Sequence, residues 1–92
     1  MAGTWVSDVR QTAGGPMTFT FTLGTDGRLD VLGTPAAGSD AEEFRRSGSY
    51  RVHEGRLVSP VINEGRPARL ALRDGRLSLT LDETLAFRLR RE

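Results

Sequence analysis

Few side chains in this 92-residue sequence could carry chemistry, and they are scattered. His53, the only histidine, stands beside the turn signal Glu54-Gly55 and out of phase with Tyr50 and Val52, which points it to solvent. A haem ligand would need that imidazole inside a core, and a Ser/His/Asp triad would need it beside a serine in a protected cleft. The acid pairs Glu42/Glu43 and Asp82/Glu83 fall in expected loops, where a carboxylate has no cause to change its pKa. With neither cysteine nor lysine, thiol nucleophiles, thiolate metal sites and Schiff bases are excluded. No metal or cofactor is expected, and no catalytic group can be named.

The remaining candidates are suited to binding, and strands must position them. From Met17 to Leu23 apolar residues alternate with threonine, placing Met17, Phe19, Phe21 and Leu23 on one face and Thr18, Thr20 and Thr22 on the other. The same period recurs at Ala68/Leu70/Leu72, Leu77/Leu79/Leu81 and Leu85/Phe87/Leu89. Turn signals at Asp26-Gly27, Glu54-Gly55, Glu64-Gly65 and Asp74-Gly75 divide these runs. Eight strands are therefore expected, over 4–10, 17–23, 28–32, 48–53, 56–62, 67–73, 76–81 and 84–90. Trp5, Val9, Tyr50, Val52 and Leu57 also fall in the inward phase, together with the polar Ser59 and Arg66.

Eight antiparallel strands without a covering helix would leave two open edges and a bare apolar face unless the sheet closed on itself. The expected fold is an all-β, eight-stranded up-and-down antiparallel barrel forming one domain over 1–92, with a short helix or a loop at 39–46. A helix there would have Ser39 and Glu42 as a capping box. Sequential connection puts the turns at Gly27, Gly55 and Gly75 at one end with both termini. The longer loops 11–16 and 33–47 and the Gly65 turn form the mouth at the other.

The net charge of +1 and the alternation of charges along the chain give no basic block, so no nucleic-acid partner is expected. No apolar run is long enough to span a membrane. As given, the chain is expected to be cytoplasmic, or secreted or periplasmic if it is a trimmed mature domain.

Gly3-Thr4-Trp5, the Phe19/Phe21 strand running into Asp26-Gly27, Ser47-Gly48-Ser49-Tyr50, and Leu85-Ala86-Phe87-Arg88 succeed one another in an order that resembles the small bacterial lipocalin-like (calycin-type) domains. The resemblance implies that Trp5 plugs the barrel floor under a basic residue of the last strand, Arg88 or Arg90. It also implies a small apolar or amphipathic ligand held at the open end, for which Met17, Phe19, Phe44, Tyr50 and Arg66 are the candidate contacts. The alternative is a filled barrel acting as a protein-interaction or inhibitor-like module with no small-molecule ligand.

Overall fold

In the computed structural model, which describes residues 2–81 and 86–92, the threonine alternation lies in the longest strand, β3 (Gly15–Leu23). It is flanked by β1 (Gly3–Ser7) and β4 (Arg28–Pro35). The other strands are β2 (Arg10–Thr12), β5 (Phe44–Ser49), β6 (Arg51–His53), β7 (Arg56–Val58), β8 (Ala68–Arg73), β9 (Arg76–Thr80) and β10 (Ala86–Arg91). All belong to one antiparallel sheet in the order β5-β4-β3-β1-β10-β9-β8-β7-β6, with β2 paired to β3. Its two ends, β5 and β6, are successive in the chain and separated only by Tyr50, and the sheet curls into a nearly closed barrel. The chain after β7 bridges the seam: Ser59 Oγ donates to the Ser49 carbonyl at 2.6 Å, and Val61 fills the space above Gly48.

The expected all-β barrel is present, but eight expected strands become ten because two of them are divided. The first breaks at a β-bulge. Val6 pairs with Thr20 and Arg10 with Met17, so Ser7, Asp8 and Val9 stand opposite only Thr18 and Phe19. The surplus residue reverses the facing of the chain beyond it: Val9, expected inside, is 56% exposed, and Arg10 shares the face of buried Met17. Buried Ser7 satisfies the disturbed ladder, its Oγ accepting the Phe19 N–H at 2.8 Å and donating to the Asp8 carbonyl at 2.9 Å.

The strand expected over 48–53 begins earlier, at Phe44, and is interrupted at Tyr50. No helix occupies 39–46. Phe44, Arg45 and Arg46 instead pair with Gly33, Leu32 and Val31, because a single helical turn is a costly nucleus whereas these residues extend an existing ladder. The strand expected over 56–62 stops at Val58, where the chain leaves to bridge the seam. The hairpin expected at Gly65 is a 3-10 turn, Asn63–Gly65. The turns Glu54-Gly55 and Asp74-Gly75 do have positive φ at both residues, as tight two-residue hairpins require.

Inside, Trp5, Leu29, Leu57, Leu77 and Leu79 are each at most 2% exposed, and Phe21, Leu23, Val31 and Leu89 pack with them. Ile62 and Ala68 complete this core from the seam side. Leu72 and Val52, expected inside, are 55% and 45% exposed. β7 meets β8 only at Arg69 and Ala68, which leaves Leu72, further along β8 and paired with Leu77 of β9, without a strand on its other side. Thr18, Thr20 and Thr22 lie half-buried on the outer face, and no helix among the described residues is long and apolar enough to cross a membrane.

Candidate functional site

The barrel end formed by the 13–14 and 36–43 loops differs from the packed interior. The two loops lie against each other, with the Ala36 N–H donating to the Pro16 carbonyl at 2.9 Å and Ala41 close over Gly14. Beneath them β3, β4 and β5 bring Met17, Phe19 and Phe44 around Gly33. A Cβ at that glycine would stand 3.1 Å from Met17 Cε, 3.1 Å from Phe19 Cε1 and 3.3 Å from Phe44 Cδ1. A side chain there would press on all three, and the glycine leaves them room to converge. Phe19 continues edge-on to Phe87 at 5.5 Å between centroids, and Phe87 meets Phe21 at the same distance. Phe19, Phe44 and Phe87 are half-buried, unlike the residues below them.

Two arginines frame this aromatic rim. The Arg10 guanidinium lies 5.0 Å over the Phe87 ring, and its Nη1 donates to the Ala86 carbonyl at 2.6 Å. Arg46 lies 5.2 Å over the Phe44 ring and pairs in register with buried Val31, which places it on the inner side of β5. Neither has a carboxylate within ion-pair distance among the described residues. Two cations flanking an apolar surface have the chemistry to meet a charged head group and an apolar body together.

Of the ligand contacts expected from the sequence, Met17, Phe19 and Phe44 are brought together and the other two are not. Tyr50 sits at the opposite end of the β3–β4 hairpin, where its hydroxyl donates to the Gly24 carbonyl and its N–H to the Gly27 carbonyl, both at 2.8 Å. Arg66 is exposed on the segment after the 3-10 turn, its Nε donating to the Asn63 carbonyl at 3.4 Å. Arg10 and Arg46 were not legible as site residues: one faces inward only because of the bulge, the other only because β5 starts at Phe44.

The arginine over Trp5 is neither Arg88 nor Arg90 but Arg91, 4.8 Å from the ring. Period two explains the shift. Phe87, Leu89 and Arg91 share the inner side of β10, and Trp5 pairs with Arg91, whereas Arg88 and Arg90 face out. His53 is exposed beside Glu54 at 3.8 Å, on the rim of a shallow depression of about 450 Å³ on the β6–β7 hairpin. Glu42 and Glu43 are exposed, and Asp82 and Glu83 lie outside the described residues. Among the described residues no three His, Cys, Asp or Glu side chains converge as a metal site needs. Comparison of the chain with models of known protein families, with curated proteins and with solved structures finds no match.

Proposed function

We propose that the protein is a lipocalin-like carrier of a small amphipathic anion, such as a fatty or aromatic acid, bound at the rim of the barrel rather than deep within it. The observation that carries this reading is the pair of inner-side arginines, Arg10 and Arg46, stacked on half-buried phenylalanines without a carboxylate partner among the described residues. The large buried side chains of the core beneath favour a shallow pose, with the apolar body of the ligand against Met17, Phe19, Phe44 and Phe87. Its carboxylate meets one or both guanidiniums, which can each donate two parallel hydrogen bonds.

NMR titration with a panel of medium-chain fatty acids and aromatic acids tests the proposal. Amide shifts concentrated at Arg10, Phe19, Phe44, Arg46 and Phe87 are expected. Arg10→Gln and Arg46→Gln should each weaken binding by about tenfold, since losing one charge-assisted contact costs roughly 1.5 kcal/mol. Absence of any shift at millimolar acid would overturn the carrier reading and favour a filled barrel that acts through protein contacts.

A further inference from the structure

We propose that the outer face of β7–β10 is a docking surface for the phosphate backbone of double-stranded nucleic acid, independent of the site at the barrel mouth. The sequence shows charges that alternate along the chain, and alternation is how a sheet collects one sign on one face. In register, Arg56 stands opposite Arg69, and Arg73 opposite Arg76, which is itself opposite Arg90. Arg88 lies on the same face of β10, opposite Ser78. All six arginines are exposed.

This face has almost no neutralising charge. Every arginine of the chain except Arg66 lies in a strand, whereas among the described residues Asp30 is the only carboxylate that does. Among the described residues the carboxylate within ion-pair distance of the cluster is Asp8, 3.9 Å from Arg90, at the edge of a shallow groove of about 250 Å³ that Arg76 and Arg88 also line, while Asp74 and Glu54 lie in the turns at the ends of the strands. Like charges directly opposite one another on a sheet repel, so the arrangement costs stability in the free protein and favours a dense anion over it. The outer face of β1, β3 and β4 carries threonines instead, Thr4, Thr18, Thr20, Thr22 and Thr34.

The choice of partner rests on the residues between the arginines. Ala71, Ser78, Thr80 and Ala86 occupy the intervening outer positions of β8–β10 and half-buried Val58 that of β7, so the face has no aromatic anchor and its apolar side chains are small. A protein partner would want such an anchor, and a single-stranded nucleic acid would want aromatic rings for its bases. Small residues between rigid, phosphate-matching forks suit a regular, densely charged backbone. Strands about 4.8 Å apart, with alternate residues about 6.6 Å apart, spread the cations in two dimensions over a duplex that carries one charge per about 1.7 Å of axis.

Fluorescence anisotropy with a labelled random-sequence DNA duplex of about 20 base pairs, read across a salt series, tests this, because log K should fall with log salt by about 0.9 per phosphate engaged. Micromolar binding at low salt is expected. The double substitutions Arg76→Gln/Arg90→Gln and Arg73→Gln/Arg88→Gln should each flatten that slope by about 2, roughly one per arginine removed. Arg28→Gln/Arg45→Gln, on the outer face of the opposite wall, should leave it unchanged. Duplex binding that is absent, insensitive to salt, or equally weakened by the opposite-wall pair would overturn the proposal. So would tighter binding to polyglutamate or to phosphatidylglycerol vesicles than to the duplex.

Discussion

At the scale of single residues, the outcome at each position turns on which face of its strand it occupies. Trp5 is 1% exposed with the Arg91 guanidinium over its ring, and Arg91 reaches it because it has the parity of Leu89. Arg91→Gln should therefore destabilise the fold by about 0.5–1 kcal/mol, the worth of an exposed cation–π contact, and shift the Trp5 emission maximum. Arg88→Gln should leave the emission where it was; an identical response from both variants would contradict the register. A last-strand arginine over the tryptophan is legible in the sequence only as far as the chain end. Parity alone separates Arg91 from Arg88 and Arg90, because Arg91 shares the face of Phe87 and Leu89; that it stands opposite Trp5 is set by the pairing of β10 with β1. Ser7 shows the opposite case, a polar residue with the inward parity of Trp5 whose hydrogen-bond partner the sequence does not signal, because that partner is a backbone N–H released by a bulge.

At the scale of elements, long alternating runs are read correctly and interruptions are not. β3 and β9 are set by their period, since each apolar side chain gains from facing the core and a slip would turn them all outward, whereas in β8 the same period holds but Leu72 lies exposed beyond the end of β7. The bulge between β1 and β2 and the early start of β5 at Phe44 carry no compositional mark, and they decide that Arg10 and Arg46 frame the mouth. The bridging segment after β7 is similarly hidden. Its fit depends on Gly48, where a Cβ would stand 2.5 Å from Val61 Cγ2, and a β-branched valine has little freedom to yield. Gly48→Ala should cost about 1–3 kcal/mol as an overpacked site. In a Val61→Ala background the same change should cost distinctly less, and thermal melts of the four proteins measure the difference as a coupling between the two sites. Strict additivity would mean that Val61 does not press on Gly48 in solution.

At the scale of the whole molecule, a near-neutral net charge coexists with an uneven distribution: among the described residues every arginine but Arg66 lies on a strand and every carboxylate but Asp30 lies off one. Arginines on β5 and β6, the two unpaired edges, serve a protective purpose there, since charge on an exposed edge discourages pairing with another chain. In the row Arg73–Arg76–Arg90, Arg76 and Arg90 have no such role, because each is paired with a strand on both sides, whereas Arg73 lies beyond the reach of β7 and is paired with Arg76 alone. Arg76 has an arginine directly opposite on each neighbouring strand, so replacing it with threonine, which also suits a strand better, should raise stability. The gain should be about 0.2–1 kcal/mol per relieved pair at low ionic strength, where charges interact over about 30 Å at 0.01 M salt. Near 1 M salt the screening length falls to about 3 Å, and the part of the gain that persists measures the strand preference of threonine alone. Urea melts of the parent and of Arg76→Thr at both ionic strengths separate the two contributions. A stability difference that does not shrink with salt would show that the row is not under electrostatic tension, and that the arginines spread apart in the free protein farther than their register implies.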